Sequence, residues 1–241
     1  MGPDAGIADS PRRGRLTAPP MVSAVMPTAN RRQFVPQAID CFLSQTYEHK
    51  ELWIADDGED PVVDLIPDDE RIHYAGFAGR MTIPEKRNLV NSLTAGSVII
   101  HWDDDDWSAP ERMESQVLQL EESRKNLIGY HALAFWDVRT STAYWYGGVA
   151  HHYICGTSMC YRREFWDHNP FDESKPVASD NWFCRAARIR NDLWSCDGGQ
   201  MMVARLHDGR TNSHDHSLGN RQFKEIGLDK LHEGFRCRQA A

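Results

Sequence analysis

Four aspartates stand side by side at Asp103, Asp104, Asp105 and Asp106, directly after an apolar run, Ser97-Val-Ile-Ile-His-Trp102. Adjacent like charges repel, and each makes the next harder to ionise. A hard divalent cation, Mn²⁺ or Mg²⁺, relieves that repulsion, because such ions take carboxylate and phosphate oxygens as ligands. A solvated acidic turn that caps the following helix is the plain alternative. A second acidic pair, Asp56-Asp57-Gly58, ends the apolar run Leu52-Trp-Ile-Ala55. Arg87 lies in the first turn of a predicted helix, where a guanidinium fork beside free backbone N–H groups suits a diphosphate; its alternative is an ordinary surface arginine. Asp180 opens another predicted helix, as a cap, as a proton acceptor, or as both. His151, His152, His207, Asp208, His214, Asp215 and His216 match no zinc spacing. His207 is kept as a metal ligand or diphosphate contact, and His214 and His216 are read as loop residues, part of a lid. Trp107 follows the aspartates, placed either to stack on an acceptor or to pack in the core.

These residues need elements to carry them. Apolar runs at 22–26, 52–55, 71–75 and 97–102 read as strands, and the 31–45 segment carries Phe34, Ala38, Ile39, Phe42 and Leu43 at helical spacing. Thr82-Ile-Pro-Glu85 reads as a capping box opening a helix to about residue 95, with Gly96 as its stop. Ser108-Ala-Pro-Glu111 reads as a second capping box, opening a helix to about 124. Strand and helix thus alternate, with polar clusters at the strand C-termini. That pattern implies an α/β fold, a mostly parallel central sheet with helices on both faces and ligands at the carboxyl ends of its strands. The second half holds strand candidates near 127–138, 142–147, 153–161 and 201–206, and helices near 180–190 and 219–232. Residues 1–20, with Arg12, Arg13 and Arg15 among prolines and glycines, read as a disordered tail.

The series of motifs resembles a glycosyltransferase of family 2. Val22-Ser-Ala-Val-Met-Pro-Thr28, Gln45-Thr-Tyr47, Trp53-Ile-Ala-Asp-Asp-Gly58, Glu85-Lys-Arg-Asn88 and His101-Trp-Asp-Asp-Asp-Asp106 follow the order and spacing of that family's opening half. Cys155-Gly-Thr-Ser-Met-Cys-Tyr-Arg-Arg163, Phe171-Asp-Glu173, Ser179-Asp180 and His207-Asp-Gly-Arg-Thr-Asn-Ser213 resemble its acceptor half more loosely, with Ser179 where a Glu is usual. The resemblance implies a GT-A nucleotide-binding sandwich as a single domain over 21–241, donor half 21–106 and acceptor half 107–241. It implies a nucleotide diphosphate sugar donor, most often UDP-linked. Pro27, Thr28, Asp56, Asp57, Arg87, Asp103 and Asp104 would bind it, Asp105 and His207 would hold Mn²⁺ or Mg²⁺, and Asp180 would be the catalytic base of an inverting transfer.

Composition sets outer limits. Lys and Arg total 27 against 35 Asp and Glu, a net charge of −8, which excludes a protein whose main task is to coat nucleic acid. Six cysteines without a Cys-x-x-Cys pair fit reduced thiols in the cytoplasm. No apolar run reaches the roughly 20 residues that span a bilayer, so action is soluble or peripheral to a membrane. A nucleotidyltransferase would carry a glycine-rich loop after the first strand, and Pro27-Thr-Ala-Asn-Arg-Arg32 has no glycine. A sugar-nucleotide-binding module without turnover is the rival from another class. A saccharide, a lipid-linked sugar, a protein or a modified nucleic-acid base all remain open as acceptor.

Overall fold

The computed structural model describes residues 18–148, 153–208 and 223–239. The expected tail, as far as residue 17, lies outside them. From Pro19 onward the chain is attached: the Tyr47 hydroxyl donates to the Pro20 carbonyl at 2.6 Å, and His49 Nδ1 to that of Pro19 at 3.0 Å.

The first half alternates as its sequence pattern requires. Strands β1 (Val22–Thr28), β2 (Lys50–Asp56), β3 (Ile72–Gly76) and β4 (Val98–His101) are interleaved with helices α1 (Val35–Leu43) and α2 (Ile83–Leu93). They form one parallel sheet in the order β4-β1-β2-β3. β1 is central and apolar on both faces, with Val22, Ala24, Val25 and Met26 all buried. α2 starts where its chemistry directs: the Thr82 N–H and hydroxyl both donate to Glu85 Oε2 at 2.7 Å, and the hydroxyl accepts from the Glu85 N–H at 3.4 Å.

After β5 (Trp107–Ser108) and α3 (Arg112–Ser123), the long strand β6 (Leu127–Asp137) extends the sheet. It pairs antiparallel with β7 (Thr142–Gly147) and β8 (Cys160–Arg162), and parallel with β9 (Leu193–Asp197) and β10 (Met202–Leu206). β8 joins it to β4, also antiparallel. Parallel pairing therefore rules among β1 to β4, and mixed pairing the rest. Helices cover both faces. On one, Ala38 and Phe42 of α1, Met113, Val117 and Leu120 of α3, and Phe235 of α6 (Glu233–Gln239) share a core. On the other, Val90 of α2, Phe165 of α4 (Arg163–His168) and Phe183 and Ala187 of α5 (Ser179–Ile189) share a second.

Four local expectations are corrected. Ser108 does not cap a helix: residues 107–108 pair antiparallel with β10, and α3 begins at Arg112 without a side-chain cap. The 153–161 segment is not one strand, because a 3₁₀ turn at Gly156–Ser158 interrupts it. Phe223–Ile226 is strand β11 rather than helix, since the free edge of β7 supplies its hydrogen bonds; residues 219–222 of that expected helix lie outside the described ones. Gly96 is not the stop of α2, which ends on Thr94. It is a point of close approach to β1, where a Cβ would stand 2.7 Å from both the Met21 carbonyl oxygen and the Ser23 nitrogen. Gly96→Ala should therefore destabilise the protein by about 1–3 kcal/mol, read as a lower urea midpoint; an unchanged midpoint would contradict the close approach.

Candidate active site

Parallel register brings the C-terminal ends of the first strands together. Thr28 stands opposite Asp56, and Val25 opposite His101, so the acidic turn after β4 emerges beside the loop after β1. Asp104 is fixed there: the hydroxyl of Thr28, the last residue of β1, donates to its Oδ2 at 2.7 Å, and Arg31 Nη1 of the loop to its Oδ1 at 2.9 Å. Arg31 also reaches Asp105 Oδ2 at 3.1 Å. His207, just after β10, places Nε2 2.9 Å from the same Asp105 oxygen. Asp106 accepts the Arg205 N–H at 3.0 Å and the Thr157 hydroxyl.

The acidic pair after β2 has different work. Asp56 accepts the N–H groups of Gly58 and Val62 at 2.9 Å and the Tyr74 hydroxyl at 3.1 Å, so it builds its own turn. Asp57 accepts the Met81 N–H at 2.7 Å and the buried ammonium of Lys86, which also donates to the Thr28 carbonyl at 3.0 Å. A cavity of about 330 Å³ opens beside it, lined by Thr28, Arg80, Met81, Thr82 and Lys86.

Pro27, Arg31, Ile83 and Pro176 line that cavity and also a larger one of about 700 Å³. In the larger cavity Arg87, Asp103 and Asp180 meet. Arg87 comes from α2 and is 5% exposed. It pairs with Asp180 of α5 through Nη1, and its Nη2 lies 3.7 Å from Asp103 Oδ1. Burial opposes its charge, and the two carboxylates outweigh that opposition. Its Nε has no hydrogen-bond partner although it is buried. Asp180 lies in the first turn of α5 but does not cap it; Ala178 holds the cap position with φ 55°. Its carboxylate lies over Gly156, where any Cβ would collide with it. Phe135, Tyr146, Tyr153 and Phe223 also line the larger cavity.

Beneath the acidic turn lies a buried cation. Arg112 is 1% exposed. It donates to the His101 and Thr157 carbonyls at 2.8 and 3.0 Å, to the Ser108 hydroxyl at 2.8 Å and to Gln116 at 3.2 Å. His101 Nδ1 lies 2.7 Å from the Gly156 carbonyl oxygen, so that nitrogen carries the proton. Burial holds His101 well below its usual range, neutral. Thus β4 and α3 clamp the turn that seats both Asp106 and Asp180.

Even so, the acidic turn is short of positive charge. Burial, with repulsion from Asp105, pushes Asp103 up, Asp104 up to about 6 and Asp106 well above the carboxylate range. Asp103, Asp105 and Asp106 can each turn one oxygen to within 4.8 Å of the others. That donor set of hard oxygens fits Mn²⁺ or Mg²⁺. Asp104 is turned away from the group onto Thr28 and Arg31.

The sequence reading gathers most of these residues. Pro27, Arg87, Asp103, Asp104, Asp105 and Asp180 line one cavity, and Thr28 the adjoining one. Asp57 sits behind the smaller cavity, Asp56 is committed to its turn, and His207 backs Asp105. Trp107 is elsewhere: buried in β5, with its ring 4.8 Å from His232 and 5.9 Å from Phe235, it is a core residue and not an acceptor wall. His214 and His216 lie outside the described residues. The reading missed Arg31, Lys86, Arg112, Thr157 and Arg205. Arg31 had a signal, as a cation just past the first strand; Lys86 had one too, inside Glu85-Lys-Arg-Asn88.

A nucleotide-binding α/β sheet with an acidic turn at its switch point and a carboxylate facing it across a cleft defines the class of GT-A sugar transferases. The family model for glycosyl transferase family 2 matches residues 23–194, and the chain belongs to that family. The putative glycosyltransferase EpsE of Bacillus subtilis is 29% identical over 127 residues, 50% of this chain and 46% of EpsE. Among solved structures, S. aureus TarS 1–349 in complex with UDP-GlcNAc aligns at a TM-score of 0.64 and 16% identity, over 78% of this chain and 59% of that one. The mannosyltransferase PcManGT of Pyrobaculum calidifontis, in complex with GDP-Man and Mn²⁺, aligns at 0.61 and 13%, over 79% and 57%. The chain thus spans about half the length of EpsE and about three fifths of these structures.

The clamp beneath the acidic turn is open to test. Thr157→Val removes the hydroxyl that Asp106 accepts and leaves the volume nearly unchanged. It should cost on the order of 1–3 kcal/mol of unfolding free energy, whereas Thr157→Ser should stay near wild type; equal urea midpoints for all three proteins would show that the bond contributes nothing.

Proposed function

We propose that this chain is a metal-dependent inverting glycosyltransferase, moving a sugar from a nucleotide diphosphate sugar, UDP-linked in our reading, to an acceptor hydroxyl. The observation that carries the proposal is the meeting of Arg87, Asp103 and Asp180 in one cavity, the first two from the donor half and the last from the acceptor half. Family membership and the nucleotide sugars bound to TarS and PcManGT support it. A cytoplasmic setting is part of the same reading; no helix among the described residues is long and apolar enough to cross a membrane.

Displacing a nucleotide diphosphate from an anomeric carbon builds negative charge on the leaving group and requires the acceptor hydroxyl to lose a proton. Thr28, Lys86 and Asp57 would surround the nucleotide in the smaller cavity, with Asp104 and His207 orienting the groups that face it. Arg87 would meet the diphosphate: a buried guanidinium with an unpartnered Nε has a donor to spare. Mn²⁺ or Mg²⁺, held by Asp103, Asp105 and Asp106, would supply charge neutralisation to that leaving group. Asp180 is now paired with Arg87, and an entering diphosphate competes for the same fork. Donor binding therefore releases the Asp180 carboxylate to accept the acceptor's proton, which orders the two events without a separate switch. One base and one displacement invert the anomeric centre.

Two outcomes are expected. Calorimetry should show UDP binding that falls strongly in EDTA and in Asp105→Ala, with CDP weaker by about tenfold to a hundredfold if Asp57 accepts the uracil N–H; metal-independent binding, or GDP or CDP binding as tightly as UDP, would reject those assignments. Asp180→Asn should lower transfer by about 10²–10⁴-fold with donor affinity kept or raised, since the diphosphate no longer competes with a carboxylate for Arg87. Near wild-type transfer in that variant would remove Asp180 from the mechanism, and donor hydrolysis absent from the wild type would favour a binding module.

A further inference from the structure

Helix α5 faces the core with Ser179, Phe183, Cys184 and Ala187. Its other side is not the polar surface that a solvated helix presents. Trp182 is 41% exposed and Ile189 75%, seven positions apart on one stripe with Arg185 between them, and Val177, 79% exposed, stands just before the helix. Lys175 and Arg185 each place their charge 5.4 Å from the centre of the Trp182 ring. Arg185 and Arg188 of α5, and Arg190 just after it, are also exposed. Of the nearby carboxylates, Asp180 is paired with Arg87, while Asp172, Glu173 and Asp192 are hydrogen-bonded to the neutral Ser174, Asn88 and Asn126 and keep their charge. Lys175 and Arg185 nevertheless set two cations directly on the exposed indole of a chain of net charge −8.

We propose that this face of α5, with Val177 and Lys175, docks on the surface of an anionic bilayer. An indole flanked by cations is matched to the headgroup layer, where the ring takes the apolar side and Lys and Arg keep their charges among phosphates. The exposed aliphatics separate a bilayer from a soluble polyanion, which has nothing to cover Ile189 and Val177. Contact through so few groups is reversible and depends on anionic lipid. Val177, Ala178 and Asn181 also line the larger cavity, so the docked face lies at its mouth. Under the glycosyl-transfer reading, on which this last step rests, the acceptor is one presented at the lipid surface.

The test is co-sedimentation of the full chain with vesicles of phosphatidylcholine alone or of equal parts phosphatidylcholine and phosphatidylglycerol, with no donor or acceptor present. The chain should sediment with the phosphatidylglycerol vesicles only, and raised salt should release it. Arg185→Gln and Arg188→Gln should each weaken partitioning by about fivefold. Trp182→Ala with Ile189→Asp should abolish it while the far-UV spectrum and thermal midpoint stay near wild type. No sedimentation of the wild type overturns the proposal, as does wild-type partitioning of the Trp182/Ile189 variant. Equal retention of wild type and that variant on heparin, without vesicle binding, overturns it in favour of a soluble polyanion. None of these readouts depends on sugar transfer, so failure of the docking surface is distinct from failure of the enzymatic reading.

Discussion

Consecutive carboxylates can be withdrawn from water only where the surrounding chain supplies fixed positive charge and donors, and that requirement organises this molecule. The turn after β4 draws Thr28 and Arg31 from the end of β1 and the loop after it, Arg87 from α2, Arg112 from α3, Thr157 from the 3₁₀ turn and the Arg205 N–H from β10. Five segments far apart in sequence meet at one point because each brings at least one such group. The supply still falls short, since Asp106 is held far above its usual range.

The Arg87–Asp180 pair gives the same logic a spatial form. It joins the parallel part of the sheet's surroundings to the mixed part across the cavity, Asp180 from the first turn of α5 and Arg87 from the second turn of α2. A buried ion pair contributes little net stability when its desolvation is counted. Its worth here is positional: it holds two reactive groups in register, in a form that an anionic ligand can exchange.

Legibility in the sequence followed locality. The donor half could be read because its chemistry is written in contiguous units: a strand, then Asp56-Asp57-Gly58; a capping box, then Arg87; a buried strand, then four aspartates. The sheet's period and the helices' caps act over a few residues, so propensity and pattern suffice there. Trp107 and Ser108 failed for the opposite reason. The local signal left Trp107 open between a stacking ring and a core residue and favoured a helix cap for Ser108, and pairing with Met202 and Val203 of β10 decided both. Residues 223–226 likewise became strand only because β7 had an open edge. Arg112 gave no signal: an arginine one position beyond a false capping box looks like a surface residue, and only assembly shows that it lies beneath the site. Gly156 was legible as part of a glycine-bearing motif but not as the floor of a carboxylate.

The partners of Asp106 lie 51 and 99 positions downstream in the chain. During synthesis from the N-terminus, β1 to β4 can pair with one another long before either partner exists. The acidic turn must then stay open to water, because closing it would bury charge that nothing yet balances. Loop closure over such spans is entropically late. Strands β1 to β4 can thus pair before the backbone that seats Asp106 has been made. A chain interrupted before β10 would resemble the native protein in its donor-half strands while lacking the backbone that seats Asp106.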